Sequence, residues 1–301
     1  MFADRVARGG ALLRRLDTSS RVALITLVLF ALAAIFAPLL TPYDPSQQMD
    51  IVALKSRPPS LAHPFGTDRF SRDVLTRVLF GARVSLSVAT LAVLVSAIVG
   101  TFYGLAAAMS GAVADSALMR LLDAMLAIPR VLLLIAILAL WNPVPLAGLI
   151  VILGLTGWFR VSRLVRAEAL TVRERDFVTA ARALGAGRGR IMRRHLLPKV
   201  LGPVIVAATL DVGNVIVLEA GLSFIGIGAR EPVPSWGTMF QEGAEAFAGT
   251  WWSALFPGLA IVVTVLCVNI LGDGLRALLD PRHLPSAPLG TRTAAATTSG
   301  R

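Results

Sequence analysis

Four ionisable side chains, Asp123, Arg130, Asp211 and Glu219, stand with Asn214 inside stretches that are otherwise almost free of charge. Charge at bilayer depth is costly, so such residues mark ion pairs, proton relays or solute pathways. Other chemistries lack their parts. Cys267 is the only cysteine, so no intramolecular disulfide and no cysteine-based metal site can form. His63, His195 and His283 lie far apart and lack metal-ligand spacing. Lys55 follows Leu54 rather than glycine, so there is no Gly-Lys-Ser/Thr phosphate loop, and any ATP used must be bound by another chain. The apolar stretches hold no histidine and no HExxH pattern, which ranks an intramembrane enzyme last.

The stretches themselves define the class. The 301 residues are 55% hydrophobic and 16% charged, against about 25% charge in a soluble domain. Uncharged runs cover Val22–Leu40, Val84–Ala114, Val131–Phe159 and Ala254–Gly272. Each reaches the roughly 18 residues of a candidate bilayer span. The expected architecture is an all-α membrane protein with six spans. Span one is Val22–Leu40, read as retained because its apolar run exceeds the h-region of a signal peptide. Span two is Val84–Met109, with Gly100-x-x-x-Gly104 permitting close helix approach. "WNPVP" (141–145) turns span three into span four, which ends at Phe159-Arg160. Within span three, Asp123 and Arg130 fall two turns apart on one face, with Pro129 expected to kink the helix. Span five covers about 203–228 and span six Ala254–Gly272. A short interfacial helix is expected between Arg69 and Arg83, and a loop over 229–253. Trp236, Trp251 and Trp252 suit the membrane interface.

The net charge of +11 resembles that of a nucleic-acid binder, but its placement points to a membrane. Six spans put residues 1–21, 110–120, 160–200 and 276–301 on one side, with 21 of the 29 basic residues. The positive-inside rule makes that side, with both termini, cytoplasmic; membrane lipid is the expected contact and nucleic acid is not. Arg77 and Arg83, beside a span on the opposite side, run against the rule.

Residues 160–200 hold eleven basic residues and three acids. A helix is expected over 173–184, with Phe177, Ala180, Ala181 and Leu184 at i, i+3, i+4 and i+7. Gly185 and Gly187 break it, because glycine tolerates the left-handed backbone of a sharp reversal. A second helix from Arg188 to Leu197 is expected to end at Pro198. The result is a helix–turn–helix on the cytoplasmic surface. It reads either as a knob that docks another protein or as an arginine anchor to anionic lipid.

The pattern Thr179-Ala180-Ala181, Gly185, His195 and Leu197-Pro198 resembles the coupling loop of ABC importer permeases. Thr179 stands where that family usually has Glu, and His195 where it has Ile. "FAPLLTPYDPSQ", "HPFGTDRFSRDVLTRVLFGARVSL", "LEAGLSFIGIGAREPVPSWGTM" and "ALFPGLAI…NILGDGLRALLDPR" are similar to the dipeptide/oligopeptide/nickel branch, in its C-type subunit, over about residues 20–284. Ser71 replaces a common Gly. The resemblance implies a type I ABC importer permease fold with a cytoplasmic coupling helix. Together with the arginine-rich start and the Ala-, Thr-, Ser- and Pro-rich end, it divides the chain into a cytoplasmic tail (1–21), a first span with an extracytoplasmic segment (22–83), a permease core (84–280) with its coupling loop at 160–200, and a tail expected to be disordered (281–301). It implies a second homologous permease, two ATP-binding subunits that hold ATP and magnesium, and an extracytoplasmic solute-binding protein. This chain would carry no cofactor and no catalytic residue. Its function would be to form half of an import pathway, for di- or oligopeptides by family prevalence, with Asp123, Arg130, Asp211, Asn214 and Glu219 as candidate pathway residues. The competing class is a secondary transporter that uses the buried Asp and Glu for ion or proton coupling.

Overall fold

A computed structural model describes residues 16–141, 144–228 and 233–279. The expected disorder of 281–301 and most of the N-terminal tail lie outside them. The described residues are mostly helical, with irregular backbone over much of 41–73, one isolated bridge between Thr67 and Asp73 and no named strand among them. The helices are α1 (Thr18–Ile35), α2 (Ala37–Leu40), α3 (Ile51–Leu54), α4 (Val74–Met109), α5 (Ala112–Ala127), α6 (Arg130–Leu140) and α7 (Leu146–Arg173). They continue as α8 (Asp176–Ala183), α9 (Arg188–Ile191), a π-helical turn Met192–Leu196, α10 (Leu197–Phe224), α11 (Trp236–Glu245) and α12 (Phe247–Leu279). Five helical stretches are long and apolar enough to cross a membrane, counting Arg188–Phe224 as one, and α5 with α6 supply a sixth as a bent pair.

Several boundaries differ from expectation, each for a local reason. No separate interfacial helix precedes span two: α4 begins at Val74, where Asp73 caps it by accepting from the Thr76 backbone N–H and hydroxyl, both at 2.8 Å. Span three is not one kinked helix. α5 and α6 meet at 78° across Ile128-Pro129, because a residue before proline disfavours the α conformation. α7 continues past Phe159 to Arg173, since no helix breaker interrupts its arginines. The 229–253 stretch contains α11, started by a capping box between Ser235 and Thr238. Span six begins at Phe247, with non-helical backbone at Thr250.

Pro198 does not end a helix. The Leu197 N–H bonds to the Met192 carbonyl, five residues back, so the chain widens into a π turn just before the proline. That extra residue per turn accommodates a ring that lacks an N–H, and the backbone runs on into α10.

Glycines set the closest helix contact. α4 and α7 lie against each other so tightly that a Cβ on Gly104 would sit 2.5 Å from the Ser162 carbonyl oxygen. One on Gly154 would sit 2.7 Å from Val95 Cβ. The Gly100/Gly104 pair therefore meets a second glycine-bearing helix. Apolar side chains of α4, α6, α7 and α10, among them Val88, Leu134, Leu153 and Ile216, form the buried centre beside this contact.

Candidate functional site

At one end of the helices, residues 176–198 form a knob. Val178, fully buried, joins Ile191, Leu196 and Val200 in a cluster with Leu105, Val165 and Ala169 of α4 and α7. That root fixes the knob to two membrane helices. The opposite face is open: Phe177 is exposed, Leu184 is 90% exposed, and Thr179 and Ala180 are exposed with Ala181 half-buried. The i, i+3, i+4, i+7 stripe therefore faces away from the protein.

The turn has the geometry of a Schellman motif. Gly185 takes φ +83°, its N–H bonds the Arg182 carbonyl at 3.0 Å, and the Ala186 N–H bonds the Ala181 carbonyl at 3.0 Å. Gly187 instead leads into α9 with extended backbone. His195 is half-buried with its ring 5.9 Å from that of Phe177, and Leu197 and Pro198 lie at the base where the knob joins α10. The Thr179 hydroxyl donates to its own helix at the Arg175 carbonyl, 3.4 Å away. Arg166 grips Asp115 through two bonds of 2.6 and 2.5 Å, and Arg173 donates to the Ala108 carbonyl at 2.6 Å. These tie the 110–115 turn to the foot of the knob.

The bend between α5 and α6 opens a cavity of about 540 Å³ at mid-height of α7 and α10. Arg130, Arg160, Thr156, Asp211 and Asn214 line it, among apolar side chains such as Leu133 and Leu210. Arg130 Nη2 donates to the Leu153 carbonyl at 2.8 Å and Nε to the Thr156 hydroxyl at 3.3 Å. Asn214 Nδ2 approaches Asp211 Oδ1 at 3.4 Å, one turn away on α10.

Two of the sequence-derived pathway candidates are elsewhere. Asp123 pairs with Arg163 on an exposed face, because the bend turns α6 and Arg130 away from α5. Glu219 is 1% exposed and bonds Ser223 at 2.7 Å and Ser85 at 3.5 Å, tying α10 to α4. It does not reach the cavity.

At the other end lies an ion-pair cluster that sequence reasoning missed. Asp68 Oδ2 accepts from Arg72 Nε at 2.7 Å and Arg77 Nη1 at 2.8 Å. Glu242 Oε2 on α11 accepts from Arg72 Nη2 at 2.6 Å and Arg77 Nη1 at 2.7 Å. Nearby, His63 Nδ1 lies 2.9 Å from Asp73 Oδ1. Arg77 is thus paired inside the protein and is not a solvated charge. Its signal was present in the alternation of acids and arginines over 68–77, but the partner Glu242 is 165 residues away from Arg77. Trp236 and Trp252 are not interfacial. Both are buried, Trp236 Nε1 donating to the Val78 carbonyl at 3.0 Å and Trp252 Nε1 to the Thr67 carbonyl at 2.9 Å. Trp251 alone of the three is exposed.

Residues 100–284 match the family described as the binding-protein-dependent transport system inner membrane component. Residues 17–59 match the N-terminal TM domain of oligopeptide transport permease C. The dipeptide transport system permease protein DppC of Alkalihalophilus pseudofirmus is 42% identical over 87% of this chain and 85% of its own length. The di/tripeptide transport system permease protein DppC of Pseudomonas aeruginosa is 40% identical over 86% of each chain. DppC of Bacillus subtilis is 39% identical over 86% of this chain and 80% of its own. With the family's region covering the C-terminal end of α4 and all of α5 to α12, and relatives aligned over most of the chain, the protein belongs to the binding-protein-dependent transport system inner membrane components.

Proposed function

We propose that this chain is the permease subunit of an ATP-driven importer of short peptides, and that the 176–198 knob is its docking element for a cytoplasmic ATPase. The observation that carries the docking role is the knob's two-sided construction. Its buried root in Val178, Ile191 and Leu196 makes it move with α4, α7 and α10, while Phe177, Ala180, Ala181 and Leu184 are left outward. Small residues let a partner's backbone come close, and a rigid root converts the partner's displacement into a tilt of membrane helices. α10 leaves the knob without interruption, so it moves first.

In this reading the knob end and both termini are cytoplasmic, and the Asp68–Glu242 cluster faces outward toward a solute-binding protein. ATP and magnesium belong to two partner ATPase subunits, and a second permease completes the pathway. The chain contributes a conduit and a lever rather than chemistry. Thr179 lacks the carboxylate of the usual Glu, so docking here relies on apolar contact and the surrounding arginines. The peptide substrate follows from the names of the relatives.

The test is gentle extraction of the tagged protein from its native membrane, followed by identification of its companions. A second permease and ATP-binding chains are expected, with an Ala181→Cys variant cross-linking to an ATP-binding chain. A chain that purifies alone and moves solute without ATP would reverse the assignment in favour of ion-coupled transport.

A further inference from the structure

The cavity at the α5–α6 bend holds a set of charges that a neutral conduit does not need. Arg130 is rooted by two hydrogen bonds to α7, and its Nη1 has no hydrogen-bond partner among the described residues. Room for its guanidinium is made by Gly157, where a Cβ would lie 3.0 Å from Arg130 Nη2. Arg160 adds a second positive charge to the lining, and Asp211 a negative one from α10 across the cavity. Among the described residues Asp211 forms no salt bridge, and its side-chain hydrogen bonding is limited to the long 3.4 Å approach of Asn214. Opposite charges that share a cavity without closing on each other leave both available to a ligand.

The backbone adds to the positive side. α6 begins at Arg130, and the Ile128-Pro129-Arg130 corner lines the cavity. Broken membrane helices direct the positive end of their dipole toward anionic groups in this way. The volume of about 540 Å³ falls within the roughly 300–1,000 Å³ of small-ligand sites.

We infer that this cavity is a binding site for a small zwitterion, a short peptide with free termini. Its carboxylate is received by Arg130 and Arg160, and its ammonium group by Asp211 with Asn214. The site lies within the permease itself, halfway along the path, and reads the termini rather than the side chains. Apolar walls from Leu133, Leu164 and Leu210 accept the rest of the ligand without specifying it. This inference rests on the importer reading for its substrate class, but not for its chemistry.

The experiment uses the complete transporter in liposomes, with Ala207→Cys as a reporter in the cavity lining and Cys267→Ala to remove the native thiol. Labelling of this chain by a neutral maleimide is followed by mass. Ala-Ala at ~10 mM, ten times a Kd of ~1 mM, slows labelling roughly tenfold. N-acetyl-Ala-Ala-amide, which has a similar backbone and no charge, leaves the rate unchanged. Arg130→Met and the isosteric Asp211→Asn each abolish protection by Ala-Ala, and Arg130→Lys keeps part of it. Equal protection by the charged and uncharged peptides, or protection that survives both Arg130→Met and Asp211→Asn, overturns the site. So does the absence of any protection. ATP-driven uptake is measured in the same liposomes: uptake that persists without charge-selective protection refutes the site alone, whereas uptake independent of ATP refutes the importer reading.

Discussion

Gly185 offers the sharpest test of the knob, because its two possible roles predict opposite orders of variants. A Cβ at this position would meet no heavy atom within 4 Å, so a side chain costs nothing in space. The cost lies in the backbone. At φ +83° an L-residue is strained by about 1–2 kcal/mol, with asparagine the mildest and β-branched residues the worst. The strain is relieved only by breaking the two Schellman hydrogen bonds, which turns the face formed by Ala180, Ala181 and Leu184. An energy of 1–2 kcal/mol corresponds to about a 5- to 30-fold loss of the docking-competent geometry. Peptide transported per ATP hydrolysed by the reconstituted transporter should therefore be near wild type for Gly185→Asn. It should fall about fivefold for Gly185→Ala and about 30-fold for Gly185→Val. Membrane insertion should be unchanged throughout. If glycine instead serves to let the ATPase backbone touch it, size decides, and Asn becomes worse than Ala. Wild-type coupling in Gly185→Val would refute the lever itself.

Other expectations follow from single contacts. Gly104→Ala brings a Cβ to 2.5 Å from the Ser162 carbonyl oxygen, backbone that cannot swing away, so α4 and α7 must part. A loss of about 1–3 kcal/mol is expected, read as a lower midpoint in thermal unfolding of the purified protein. Ser71 occupies left-handed backbone at φ +62°, fully buried, with its hydroxyl lacking a hydrogen-bond partner among the described residues. Ser71→Gly should stabilise by about 1 kcal/mol, read as a higher midpoint in thermal unfolding. Glu242→Ala leaves Arg72 and Arg77 sharing Asp68 in a buried setting, and a cost of about 3–5 kcal/mol is expected. Limited proteolysis at the 41–73 segment should detect the release of α11, with Glu242→Gln milder.

What could be read without a structure was the part governed by local composition. Apolar runs of bilayer length marked the candidate spans. Gly185 could be assigned to a reversal because few residues other than glycine tolerate its φ, and the stripe from Phe177 to Leu184 followed from helical period alone. Tertiary structure decided everything that depended on a distant partner. Asp123 and Arg130 are seven residues apart, yet a 78° bend sends one to Arg163 and the other to the cavity. Glu219 and Asp211 are two turns apart on α10, but one is sealed against Ser85 and Ser223 while the other faces open space. Trp236 suited an interface by composition and is buried, because Val78 and Ser85 of a helix some 150 residues earlier supply its hydrogen bonds. Periodicity shows which residues share a helix face; what covers that face depends on how the other helices pack against it.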